Sequence, residues 1–130
     1  MEFIRETFNL LRPPGSEYKI NTEYEIEEKV VLDYIIDNNY GFITMSYSGR
    51  QNLTSLDNCF HLLDGKEVAK YPNNAATIMN SAINDKKWEC ETEYFEFRWY
   101  KKGSLHIRFK RLDLVRRLNQ LAGGNHLKNN

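Results

Sequence analysis

The stretch ETEYFEFRWYKKGSLHIRFKR, residues 91–111, decides the fold class. Phe95, Phe97 and Trp99 alternate with Tyr94, Glu96, Arg98 and Tyr100, while Leu105, Ile107 and Phe109 alternate with His106, Arg108 and Lys110. A period of two puts each set on one side of an extended chain, so both runs read as half-buried strands. Lys101, Lys102 and Gly103 separate them. A two-residue loop would oppose Phe97 with Arg108 and mix the faces. A three-residue loop, with Gly103 left-handed, opposes Trp99 with Leu105, Phe97 with Ile107 and Phe95 with Phe109. The sequence therefore predicts a hairpin with one apolar face. Its other face sets Arg98 against His106, Glu96 against Arg108 and Tyr94 against Lys110, and is polar, aromatic and mostly cationic.

After the hairpin, Asp113 suits the positive end of a helix that starts at Leu112 or Asp113. That helix turns Leu114, Val115, Leu118 and Leu121 inward and Arg116 and Arg117 outward, and Gly123 and Gly124 end it. Upstream, Phe3, Ile4, Thr7, Phe8 and Leu11 line a short opening helix over residues 2–11, stopped by Pro13 and Pro14. Residues 29–36 and 42–47 read as two antiparallel strands turned by DNNYG at 37–41, although Val30, Val31, Tyr34 and Ile35 also satisfy a helical stripe. Residues 48–52 read as a loop. Thr54 or Ser55 then caps a helix with Leu56, Cys59, Phe60 and Leu63 inward, closed after Asp64 by Gly65. A further helix from about residue 74 to 84 buries Ile78, Met79, Ala82 and Ile83 as packing. The expectation is one α+β domain over residues 1–124, with a flexible tail at 125–130. A small antiparallel sheet includes the carboxyl-terminal hairpin, and three to four helices pack on its apolar face.

A chain of 130 residues, 41% hydrophobic and 13% aromatic, has the material for a core, which excludes disorder as its main state. Eighteen bases balance eighteen acids, so a uniformly basic, histone-like chain and a uniformly acidic mimic are both excluded. Cys59 and Cys90 are too few for a disulfide scaffold and lack the clustered histidines of a zinc set. No signal-peptide pattern opens the chain and its apolar runs are short, which points to a soluble cytoplasmic protein with reduced thiols and no membrane contact.

The balanced charge is unevenly distributed. From Arg98 to the end there are nine bases and one acid, Asp113, a net of plus eight; the first ninety-seven residues carry minus eight. If hairpin and last helix adjoin, Tyr94, Arg98, Tyr100, Lys101, Lys102, His106, Arg108, Lys110, Arg111 and Arg116 make a cationic surface with rings among the charges. Such a surface suits phosphate contacts and stacking on unpaired bases of DNA or RNA. The competing expectation is that the two halves neutralise each other across the fold.

Several constellations bear on catalysis. His106 sits mid-strand among cations, which disfavour its charged form and leave a base for metal-independent phosphodiester cleavage, with Arg98, Arg108 or Lys110 stabilising the phosphate. No partner acid is evident, and a nucleic-acid-contacting or structural histidine is the simpler reading. His61 falls beside buried Leu62 on a different element. Glu89, Glu91, Glu93 and Glu96 with Asp64 have magnesium's preferred oxygen chemistry, but alternation puts Glu91 and Glu93 on one face and Glu96 on the other. No metal and no cofactor is expected. Asp64-Gly65-Lys66 reads as a helix stop, and Gly15-Ser16 lacks the rest of a phosphate loop.

LRP at 11–13, SEYKIN at 16–21, FHLLDGK at 60–66, ETEYF at 91–95, KKGSLHIRF at 101–109, DLV at 113–115 and Leu118-Asn119 together resemble the bacterial and phage family known as domain of unknown function 4942. The resemblance covers nearly the whole chain and is most specific at the hairpin. There the family shows Lys-Asn-Gly-Asn before its Leu-His step, and this chain has Lys102 and Ser104 in place of the asparagines while keeping Gly103 and His106. The resemblance implies the family's carboxyl-terminal portion standing alone. It implies the company of phages, plasmids and integrative elements, sometimes beside a DNA methyltransferase, and it implies no catalytic residues. Charge pattern and resemblance together lead to the expectation of a nucleic-acid-associated accessory domain of a mobile element. The alternatives are a protein-interaction module that blocks a host defence or restriction complex, and a small nuclease built on His106.

Overall fold

The computed structural model describes residue 7, residues 9–11 and residues 26–124. In chain order these form β1 (Lys29–Leu32), β2 (Ile36–Asn39), β3 (Phe42–Met45), α1 (Tyr47–Leu63), α2 (Ala75–Asn84), β4 (Glu89–Glu91), β5 (Phe95–Trp99), β6 (Leu105–Phe109) and α3 (Leu112–Leu118), followed by a π-helical turn, Asn119–Gly124. Thr7 and residues 9–11 are helical, with Thr7 and Leu11 buried. The rest of the expected opening helix, its stop at residues 12–15 and the tail at 125–130 lie outside the described residues.

The fold is α+β. Four antiparallel strands pair in the order β1-β6-β5-β4, and β2 and β3 form a separate two-stranded sheet. In the hairpin Trp99 opposes Leu105, Phe97 opposes Ile107 and Phe95 opposes Phe109, the register that alternation and a three-residue loop predict. Gly103 has φ of +108°, and its N–H donates to the Tyr100 carbonyl across 2.9 Å, closing the loop. The Gly103 carbonyl accepts from Ile35 N and Ile36 N, so the loop also anchors the root of β2.

One side of the main sheet is apolar, with Val30, Ile107, Phe97 and Cys90 in one cross-strand row and Leu32, Leu105 and Trp99 in the next. Phe60 of α1 seals it, stacked on Phe109 at 5.3 Å and edge-on to Phe95 at 5.0 Å, and Leu114, Val115 and Leu118 of α3 join the same core. Burial of these large side chains supplies the main stabilisation, at roughly 1.5–3 kcal/mol each.

Elsewhere the local reading is corrected. β1 pairs with β6, and the strand opposite β3 is β2 alone, with Asp37, Asn38 and Asn39 inside it. The turn is the pair Tyr40-Gly41, both at positive φ (55° and 88°), as a two-residue hairpin loop requires. α1 begins at Tyr47, so residues 48–52 are helix. Its cap is Ser46, whose Oγ accepts from Gly49 N at 2.9 Å and donates to the Tyr34 carbonyl at 2.7 Å. Leu121, expected inward, is 43% exposed, because the chain widens into the π turn after Leu118.

Candidate nucleic-acid interface

The outward side chains of the main sheet form two cross-strand rows, Lys29-Arg108-Glu96-Glu91 and Val31-His106-Arg98-Glu89. Among the described residues no element covers them, and they line an open depression of about 600 Å³ together with Tyr100. The Tyr100 and His106 rings, both in its lining, lie 4.8 Å apart. Lys101 and Lys102 are exposed in the adjoining loop and have no carboxylate partner among the described residues.

Four of the remaining expected cations, Arg98, Arg108, Lys110 and Arg111, are paired with carboxylates. Arg98 Nη2 lies 2.6 Å from Glu89, Arg108 Nη2 lies 3.5 Å from Glu28, and Lys110 Nζ lies 3.1 Å from Glu91. The cause is topological: β4 brings Glu89 and Glu91 to one edge of the sheet, and the residue before β1 brings Glu28 to the other. Glu91 directly opposes Glu96, so those two carboxylates share a face, contrary to the alternation argument. That argument fails because the chain turns at Thr92, whose Oγ1 accepts from Tyr94 N and Phe95 N.

Tyr94 is the clearest correction. It is fully buried, so it offers no ring for stacking. Its hydroxyl donates to Asp64 Oδ2 across 2.8 Å, and burial followed by this bond pushes its pKa up to about 12. Asp64 is held below the ordinary carboxylate range, first by Tyr94 and then by Arg111, whose guanidinium reaches Asp64 Oδ1 at 3.1 Å and Asp113 Oδ2 at 2.9 Å. Lys66 pairs with Glu93 at 2.7 Å and lies 5.4 Å from the Tyr94 ring centroid. Arg111 thus belongs to a latch that ties the end of α1 to the turn before β5 and the start of α3. Lys110, bonded also to the Thr92 carbonyl at 2.8 Å, stands at its margin. Arg116 is exposed on α3, which packs with α1 on the apolar side of the sheet. The ten expected residues therefore divide. Arg98, Tyr100, His106 and Arg108 share the open face beside Lys101 and Lys102, Lys110 reaches its edge through Glu91, and Tyr94, Arg111 and Arg116 do not share it. Among the described residues the cations of this segment are thus divided between the open sheet face, the latch and α3.

A second polar pair escaped the sequence reading. Asp57, 2% exposed, accepts from Ala75 N at 2.7 Å and so caps α2 from α1, the role that Asn74 leaves unfilled at the head of α2. His61 Nδ1 sits 2.8 Å from the Asp57 carbonyl and 3.3 Å from its carboxylate, and its ring meets the Tyr94 ring edge-on at 4.9 Å. Burial raises the Asp57 carboxyl above its ordinary range, against the opposing pull of the Ala75 N–H and His61. The only sequence signal was an i, i+4 Asp and His on one helix face.

Among the described residues no group of three His, Cys, Asp or Glu side chains is arranged to hold a metal ion, and no helix is long and apolar enough to cross a membrane. His106 has the Tyr100 ring beside it and Arg98 and Val31 opposite, and Glu89, Glu91 and Glu96 line the same depression. A family model described as Domain of unknown function (DUF4942) matches residues 1–127. No curated protein and no solved structure matches the chain.

Proposed function

The chain belongs to the DUF4942 family of domains of unknown function, and from that premise we propose that it is a nucleic-acid-associated accessory domain of a mobile genetic element, with a binding rather than a catalytic role. The observation that carries this reading is the uncovered sheet face, where the Tyr100–His106 ring pair lies beside the cross-strand neighbour Arg98 and close to Arg108. Rings stack on unpaired bases whatever their identity, and guanidinium groups take phosphate oxygens in a fork. The carboxylates on Arg98 and Arg108 are not prohibitive, because exposed ion pairs contribute only about 0–1 kcal/mol and exchange readily. They do limit affinity. Contact runs through Arg98, Arg108, Lys101 and Lys102, and α3 takes no part.

The test is fluorescence anisotropy of labelled single-stranded DNA and RNA. With about four phosphates neutralised, affinity falls roughly 50-fold for a fourfold rise in salt. Replacing Arg108 or Arg98 by Gln lowers both affinity and salt slope, and Arg116→Gln changes neither. Absence of binding at low salt overturns the proposal.

A second reading has its own observation. The alternation of Arg98, Glu89, Glu96 and Arg108 on one face suits a protein partner of complementary alternating charge, such as a host defence or restriction complex or a DNA methyltransferase. A purified partner bound regardless of added nucleic acid, with no oligonucleotide affinity, favours this reading over the first.

A further inference from the structure

The depression on the main sheet is mixed in charge, and its carboxylates are not equally engaged. Glu89 holds Arg98 at 2.6 Å and Glu91 holds Lys110 at 3.1 Å, whereas Glu96 has no hydrogen-bond or ion-pair partner among the described residues. Glu96 is exposed in the lining, directly across the strand pair from Arg108 and two residues along β5 from Arg98. His106 is its diagonal neighbour, at a root-to-root distance of about 7–8 Å. The Tyr100 ring lies 4.8 Å from that of His106. One face therefore sets a pair of aromatic rings beside an unpaired carboxylate.

An ionised carboxylate only accepts hydrogen bonds, and two parallel N–H donors match it best. A guanidinium carries such a pair, but Arg98 and Arg108 flank Glu96 and oppose a third positive charge. A neutral group with the same two donors meets no such opposition. Among the bases guanine has it, in N1–H beside the N2 amino group, whereas the pairing edges of adenine, cytosine and thymine each offer a single donor group. We infer that the depression selects guanine in a single strand: the base stacks on the Tyr100–His106 pair, Glu96 accepts from its N1–H and N2 amino group, and Arg108 takes the adjoining phosphate. The inference deepens the nucleic-acid reading and rests on it, since stacking and phosphate contact alone are indifferent to the base. A carboxylate that only repelled phosphate would weaken every sequence alike. One that reads a base weakens all but guanine.

The test is fluorescence anisotropy of the full chain at low salt with three labelled oligothymidylates of one length. One carries a central guanine, one a central hypoxanthine, which lacks the N2 amino group, and one is thymine throughout. The wild-type chain binds the guanine strand about tenfold more tightly than the thymine strand, with the hypoxanthine strand between them. In Glu96→Ala the three strands bind alike, and affinity for the thymine strand rises because a negative charge has left the face. Glu89→Ala strengthens all three and keeps the preference, because Glu89 serves Arg98 rather than the base. Both side chains are exposed, so neither variant disturbs the core. If no strand binds, the nucleic-acid reading falls and the selection of guanine falls with it. If all three bind the wild-type chain equally and with salt-dependent affinity, that reading stands and the selection of guanine is overturned. A guanine preference that survives Glu96→Ala also overturns it, as does displacement of the guanine strand by an arginine-rich peptide and not by guanosine monophosphate.

Discussion

Tyr94 and Asp64 are joined by a 2.8 Å hydrogen bond that ties the end of α1 to the turn leading into β5. The tyrosine is buried and stays protonated, with its pKa at about 12, while the aspartate stays ionised under Tyr94 and Arg111. The result is a charge-assisted bond at the edge of the core. Tyr94→Phe keeps the ring packing and removes only the hydroxyl, and is expected to lower stability by about 1–2 kcal/mol. Urea denaturation at neutral pH checks this. A variant as stable as the parent would show that water replaces the bond at no cost.

The same latch fixes the acid limb of stability. Asp64 and Asp113 both have folded pKa values below their unfolded ones, Asp113 at about 2 because of Arg111. For such groups the stabilisation is complete above the unfolded value near 3.9 and is lost as pH falls through the folded one. Denaturation midpoints are therefore expected to drop between about pH 4 and pH 2. The drop is smaller in Asp113→Asn than in the parent.

Asp57 works in the opposite sense. Its carboxyl is raised by burial, so whatever it contributes is greatest when protonated and declines as pH rises through the folded pKa. Asp57→Asn keeps an acceptor for Ala75 N, and its stability relative to the parent improves from pH 4 towards neutrality. Asp57→Ala leaves the head of α2 uncapped and costs about 1–2 kcal/mol. Equal losses in the two variants would refute the capping role.

Gly49 inverts a usual rule. Glycine to alanine within a helix normally stabilises by about 1 kcal/mol. Here an added Cβ meets the Ile35 carbonyl oxygen at 2.7 Å and Ile35 Cα at 2.9 Å, both backbone. Gly49→Ala is expected to destabilise by about 2–3 kcal/mol, because the root of β2 must move. A thermal melt settles the sign.

How much of this is legible in the sequence differs from element to element. The β5–β6 hairpin is legible to the residue, because unbroken alternation and Gly103 leave one consistent register. β1 shows its character but not its partner, since Lys29 meets Arg108 across most of the chain. β4 is too short to alternate visibly, and the turn at Thr92 reverses the side on which Glu91 falls, which hid both the neutralisation of Arg98 and the burial of Tyr94. The Ser46 cap was masked by Gly49, which reads as a loop residue until the Ile35 backbone is seen against it. Among the described residues the charge segregation along the chain is broken up, because antiparallel pairing sets Glu89 beside Arg98 and Glu96 beside Arg108 and brings Glu91 to Lys110.

Both thiols are expected to be inert in the native state. Cys59 is fully buried and Cys90 half-buried, and burial pushes each up to about 11. With Ellman's reagent at pH 8, Cys90 reacts slowly and Cys59 only on unfolding. Prompt reaction of Cys59 in the folded chain would contradict the packing of α1 against the sheet.

The proposed binding face is tested most directly by titrating the isotope-labelled chain with a short single-stranded oligonucleotide at low salt and following backbone amide resonances. Saturable shifts confined to Glu96, Arg98, Tyr100, Lys101, Lys102, His106 and Arg108 are the predicted result. Shifts centred on Arg116 and Arg117, or none at all, would contradict it.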